Sequence, residues 1–194
     1  QGFKMVYDII DDWEGFHDVD QAIWYEKSFE ESIIINANIL SAVSQPLIEK
    51  FSYLRKDIRL IPNGFDPDFL GPFKEIAQRN FNEAQIHVGY FGHLTPSWFD
   101  WVFLKEILES ATEKGLNLAF HLIGYGEPDI RRILGDDHKN VVFHGKIPPG
   151  DLHHYVKDWD CAMIPFKSGA LSEAVDPIKL YEYLYFGLPV IVKG

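Results

Sequence analysis

Short apolar runs alternate with helix-patterned stretches along this chain, stop once, and then resume. From Met5, "MVYDII" reads as a strand ending in "DDWEGF", and a helical stretch follows over about 21–36. "ILSAVS" is the next strand, "QPLIEKFSYL" a helix with Pro46 in its first turn, and "IRLIPNG" a third strand. The rhythm breaks in "NGFDPDFLGPFKEIAQRNFNEA", where Gly, Pro and Asp are dense and periodicity fades. This predicts a first unit over 1–68, a linker over 69–85 and a second unit over 86–194.

The second unit opens on "IHVGYFGHL", a strand running into a glycine turn, followed by a helix over about 97–114. Leu104, Ile107, Leu108 and Ala111 form its apolar stripe, and Gly115 stops it. "LNLAFHLIGYG", "NVVFHG", "CAMIPF" and "PVIV" are further strands, separated by "EPDIRRIL", "PPGDLHHYVKDW" and "DPIKLYEYLYFG" as helices. Strands alternating with helices at this spacing predict an α/β fold of two units with parallel sheets covered on both faces.

Of the residues, 46 % are apolar, enough for a sizeable core, and no apolar run approaches a membrane span. A charged-then-apolar leader is also missing from the start, where Gln1 stands in place of Met. Eighteen Lys and Arg oppose 29 Asp and Glu, a net charge of −11 that disfavours nucleic acid as a partner while leaving a locally bound small anion open. A single cysteine, Cys161, lies within an apolar run and reads as a structural thiol in a reducing compartment.

In an open parallel sheet, ligands bind beyond the carboxyl ends of the strands. Four strands of the second unit end there in turns that carry glycine: "FGHL" with Gly92 and His93, "IGYG" with Gly124, "FHGKI" with Gly145, Lys146 and Ile147, and "IPFKSG". Glycine lets backbone N–H groups approach a ligand, although strand-to-helix turns need glycine for their own geometry too. In "DPIKLYEYLYFG", Asp176 is placed to cap a helix and Pro177 fills the first-turn position. The N–H groups near Ile178, Lys179 and Leu180 would then form an anion site. Lys179 would add a point charge and Glu182 would accept from a pair of sugar hydroxyls; the structural alternative is an exposed i, i+3 pair.

These residues carry a resemblance. "VGYFGHL…WFDWVFLKEIL", "FHLIGYGE", "NVVFHGKIPPGDLHHYVKDWDCAMIPF" and "DPIKLYEYLYFGLPVI" resemble the donor-binding domain of retaining GT-B-fold glycosyltransferases that build bacterial capsule, lipopolysaccharide and teichuronic-acid-type polymers. "VYDIIDDWEGF", "ILSAVSQPLIEKF" and "IRLIPNGFD" resemble the closing part of that fold's acceptor-side domain. The resemblance implies a metal-independent, hexosyltransferase-like enzyme whose donor is a UDP- or GDP-sugar and whose acceptor is a saccharide or lipid-linked saccharide. It implies no other cofactor, and a location in the cytoplasm or at the inner face of the membrane. It also implies that the chain is the middle of a longer enzyme, truncated at both ends and inactive in isolation.

Residue by residue, the resemblance places the ribose at Glu182, the second glutamate of a Glu-x7-Glu pattern. The diphosphate falls at the N–H groups around Ile178 to Leu180, the base at Gly145-Lys146-Ile147, and the distal phosphate and sugar near Gly92-His93. Two positions depart from the pattern. Ala174 stands where the first glutamate belongs, with Glu173 one residue out of register, and His93 stands where an arginine is common, which leaves Lys179 as the principal cation.

Other constellations are weighed beside these. Asp158-Trp159-Asp160 is a literal Asp-x-Asp, but it lies where a helix meets the start of a strand, so capping is its expected role. Asp12, with Asp11, follows the first strand and is either an acceptor-activating carboxylate or the cap of the next segment. His153-His154 are adjacent on a helix and so do not form a two-histidine metal site; no metal site is expected. Trp98 follows the first glycine turn and could flank a ligand. Two further functions remain open on this fold: a nucleotide-sugar 2-epimerase and a non-catalytic nucleotide-binding module, the latter favoured by Ala174.

Overall fold

The computed structural model describes residues 2–71 and 85–193. Its elements in chain order are β1 (Val6–Ile9), α1 (Trp13–Asp18), α2 (Lys27–Asn36), β2 (Ile39–Ala42), α3 (Gln45–Phe51), β3 (Arg59–Leu60), β4 (Ile86–His93) and α4 (Trp101–Glu113). They continue with β5 (Leu118–Tyr125), α5 (Ile130–Leu134), β6 (Val141–Gly145), α6 (His153–Val156), β7 (Cys161–Ile164), α7 (Ala170–Ala174), α8 (Ile178–Tyr185) and β8 (Val190–Val192). The expected α/β class holds: both sheets are parallel throughout, one of three strands and one of five. Of the 69–85 linker, residues 72–84 lie outside the described residues.

The chain divides into Gln1–Gly64 with Ser168–Pro177, and Phe65–Lys167 with Ile178–Gly194. Contiguous units were expected, and the difference lies at α7. Ala174 is buried in the first unit's core with Ile9, Ile34, Leu40, Leu47 and Phe51, where a small side chain fits between packed aliphatic groups. Its carbonyl accepts from the Ser44 hydroxyl, and Asp176 accepts the Asn63 N–H at 2.7 Å while Asn63 Nδ2 donates to the Asp176 carbonyl at 2.7 Å. Two chain segments far apart in sequence thus complete one core.

In the first unit the sheet order is β1-β2-β3. The expected 21–36 helix is shorter, and a separate turn of helix precedes it. Asp12 caps α1 by accepting the Gly15 N–H at 2.9 Å, Asp20 takes a positive φ of 60° after it, and Glu26 caps α2. Acidic side chains at N-caps satisfy N–H groups that a helix leaves orphaned, and the Glu26 cap starts α2 six residues later than expected.

In the second unit the order is β6-β5-β4-β7-β8. The chain builds outward from β4 through β5 and β6, then crosses to β7 and β8, which puts the reversal of strand order beside β4. On α4, Trp101, Leu104, Leu108 and Ala111 are the buried stripe, and the helix starts four residues later than expected because Asp100 caps it by accepting the Phe103 N–H at 3.0 Å. Trp159 lies flat against β4: a Cβ on Gly89 would come within 1.9 Å of its ring. Beside it, three histidines on neighbouring strands touch in series, His87 Nδ1 to His121 Nε2 at 2.8 Å and His121 Nδ1 to His144 Nε2 at 3.0 Å.

In the Asp-x-Asp segment, expected to cap a helix or loop, Asp160 instead joins two strands. Asp160 Oδ2 accepts the His87 N–H at 2.6 Å and its own N–H donates to the His87 carbonyl at 2.7 Å, which ties the start of β7 to the start of β4. Burial, followed by the Asp160 charge, pushes the Cys161 thiol up, away from a reactive thiolate. Among the described residues, no helix is long and apolar enough to cross a membrane.

Candidate functional site

At the carboxyl ends of β4 and β5 lies a cavity of about 350 Å³, lined by Phe91, Gly92 and His93 from β4 and by Ile123, Gly124 and Tyr125 from β5. Lys146, Ile147, Pro149 and Leu152 from the segment after β6, and Lys179 and Glu182 from α8, complete it. Three strand-end turns and one helix therefore meet in one place, all within the second unit, while the expected turn "IPFKSG" contributes no lining residue.

Two glycines make the floor. Gly92 and Gly124 are register partners with φ of 143° and 147°, a region that side chains rarely adopt. A Cβ on Gly124 would lie 1.8 Å from the Gly92 carbonyl oxygen, and one on Gly92 would lie 2.2 Å from Lys179 Cε. The bare Gly92 makes room for the Lys179 stem at the end of β4, and the bare Gly124 lets β4 and β5 approach there. The helix that carries Lys179 is anchored from beneath: fully buried Tyr183 accepts the Phe91 N–H at 3.0 Å and packs edge-on against the Phe91 ring at 4.6 Å.

The charges in the cavity are unevenly ionised. Burial holds the His93 imidazole below the usual histidine range, and the nearby Lys179 and Lys146 charges push it further down, so the ring is neutral at pH 7. Burial raises the Glu182 carboxyl, and Lys179 opposes that shift. Tyr125 Oη and His93 Nε2 are 2.7 Å apart, and Lys146 Nζ sits 3.8 Å from the Tyr125 ring centroid. Two ammonium groups beside a neutral ring and one carboxyl suit an anion with attached hydroxyls.

The sequence profile of the family described as Glycosyl transferases group 1 matches residues 85–193. This chain belongs to the group 1 glycosyltransferases. A candidate teichuronic acid biosynthesis glycosyltransferase of Bacillus subtilis (strain 168), TuaH, is 26% identical over 175 residues, covering 85% of this chain and 42% of that protein. Among solved structures, sucrose-phosphate synthase from Thermosynechococcus elongatus aligns over 99% of this chain and 50% of its own, with 18% identity and a TM-score of 0.64. Anabaena HepE in complex with UDP and glucose aligns over 97% of this chain and 52% of its own, with 17% identity and a TM-score of 0.63. A mutant of S. aureus TarM, in a complex that includes UDP, aligns over 97% and 36%, with 17% identity and a TM-score of 0.63. The chain spans about half the length of these relatives or less, and the match places its two units in the GT-B fold.

Within this group 1 glycosyltransferase chain, the cavity gathers Gly92, His93, Gly124, Lys146, Ile147, Lys179 and Glu182 of the residues singled out from the sequence. Gly145 supplies the turn before Lys146 with a φ of 68°, while Ile178 and Leu180 lie at the start of α8 and Pro177 precedes it in the first unit, none of the three lining the cavity. Asp176, expected as the α8 cap, has its carboxylate engaged by the Asn63 N–H.

Asp12 does not line this cavity: it is 6 % exposed, caps α1 and takes the Lys50 ammonium at 2.5 Å. Trp98 packs on Phe166 with ring centroids 4.4 Å apart and is not among the cavity residues. Ala174 is buried in the first unit, and Glu173 is exposed. Among the described residues no group of three His, Cys, Asp or Glu side chains could hold a metal ion. Sequence reasoning missed Tyr125 and Tyr183. For Tyr125 the available signal was its place between Gly124 and Gly126 at a strand end.

Proposed function

We propose that the second unit binds a nucleotide-diphosphate sugar in this cavity, and that the protein of which it is part transfers the sugar to a saccharide or lipid-linked acceptor in surface polysaccharide synthesis. The observation that carries the reading is the convergence of Lys179 and Glu182, one helical turn apart on α8, on the same cavity as the Gly92-His93 and Lys146-Ile147 turns. Glu182 would accept from the ribose hydroxyls, the Lys146-Ile147 turn would receive the base, and Gly92-His93 the distal phosphate. Lys179 would answer the diphosphate charge as the glycosidic phosphate bond breaks, because a fixed cation in a dry site stabilises a departing anion strongly. The UDP held by HepE and TarM makes UDP the first nucleotide to try. The first unit is proposed as the closing part of the acceptor-side domain.

Calorimetric titration with UDP, GDP and ADP tests this on the wild type and on Glu182→Ala. One nucleotide is expected to bind, and the variant is expected to lose at least tenfold in affinity; no binding by any of the three refutes the donor site. A second reading is favoured by the burial of Ala174 where the resemblance places a glutamate: a nucleotide-binding unit without transfer activity. A longer protein that binds the donor and neither transfers nor epimerises the sugar would support it.

A further inference from the structure

The position of the proton on His93 is constrained at one ring nitrogen. Its Nε2 meets the Tyr125 hydroxyl at 2.7 Å, with the two rings 4.3 Å apart and inclined at 59°. Either the phenol donates to the imidazole or the imidazole donates to the phenol. The Lys146 ammonium, 3.8 Å from the Tyr125 ring centroid, draws electron density from the phenol oxygen, which strengthens it as a donor and weakens it as an acceptor. A neutral imidazole nitrogen is also the stronger base of the pair. Both considerations run in one direction.

We propose that Tyr125 is a positioning residue that donates its hydroxyl proton to His93 Nε2 and so fixes His93 as the neutral tautomer with its proton on Nδ1. The turn after β4 then offers a donated hydrogen bond to a phosphate oxygen rather than a positive charge. The cation is supplied instead by Lys179, whose Cε would touch a Cβ on Gly92. The charged and titratable groups around the ring are Tyr125 on β5, Lys146 after β6, and Lys179 and Glu182 on α8. Its own carbonyl accepts from the Tyr90 hydroxyl at 3.0 Å, which holds the backbone of the turn. The role assigned to the phosphate rests on the donor-site reading above; the tautomer does not.

The test is histidine-detected ¹H–¹⁵N NMR on the 194-residue chain, with the His93 signals assigned by their loss in His93→Gln. The wild type should show Nδ1 protonated and Nε2 bare above the ring's titration. In Tyr125→Phe the ring should become a tautomer mixture and titrate at higher pH, because the variant loses a hydrogen bond that favours the neutral form. A proton on Nε2 in the wild type, or a tautomer and titration unchanged in Tyr125→Phe, overturns the assignment. Calorimetry with UDP separates the two claims. Tyr125→Phe should weaken UDP two- to fivefold at pH 8 with an unchanged thermal midpoint, and by less below the ring's own titration as read by NMR, where a protonated His93 supplies charge in place of the fixed donor. Failure of the wild type to bind UDP, GDP or ADP would count against the function proposed above while the NMR result decides the tautomer.

Discussion

The charged groups of the two units are used in opposite ways. In the first unit Lys50 lies 2.5 Å from Asp12 and 2.9 Å from Glu14, Lys27 lies 2.9 Å from Glu14, and Asp12 also caps α1. In the second, Lys146, Lys179 and Glu182 line one cavity over two glycines, where burial and mutual charge shift His93 and Glu182 from their ordinary ranges. An acidic chain thus sets two lysines beside a single carboxylate in this cavity. Charge count describes the field of the whole molecule, and the arrangement of a few lysines decides the site.

The comparison can be broken at several points. The largest effect is expected from Gly124→Ala, which sets a Cβ against the Gly92 carbonyl at an unfavourable φ: the second unit should lose roughly 2–4 kcal/mol, read from the urea midpoint. Next, Lys179→Met should weaken the bound nucleotide diphosphate by about tenfold, ~1.4 kcal/mol, with little change in midpoint. Asp12→Ala should do the reverse, costing about 1 kcal/mol of first-unit stability through the lost cap and leaving nucleotide affinity unaltered. If Asp12→Ala changed affinity without changing stability, the contrast between the units would fail.

The smallest effect is a pH dependence with a defined sign. The folded His93 and His144 rings are held below the ordinary histidine range, His144 by burial alone, so the unfolded chain binds more protons just below that range. Their contribution to stability is present above the unfolded histidine range and is lost as pH falls through the folded one. The urea midpoint of the second unit should therefore drop between pH 7.5 and 5.5, and His144→Gln should flatten that slope. Glu182, raised by burial, acts with the opposite sign: Glu182→Gln should stabilise the unit at pH 7 and not at pH 4.

Much of this was legible in the chain. Strands β4 to β8 follow apolar runs between glycine turns, and seven of the site residues named from the sequence line the cavity, because helix starts and strand-end turns are local signals. What was not legible depends on long-range packing. Nothing local in "ALSEAVD" says that Ala174 completes a core with Ile9 and Leu47, and nothing local ties Tyr183 to the Phe91 N–H. The pairing of Asp12 with Lys50, thirty-eight residues away, was likewise not legible.

The histidine series across β4, β5 and β6 has a counting consequence. Each of its two nitrogen-to-nitrogen contacts can hold one proton and no more, since two N–H groups cannot face each other at about 3 Å. With the outermost nitrogens both protonated, the three rings share one proton beyond their neutral complement; a second would force a contact apart.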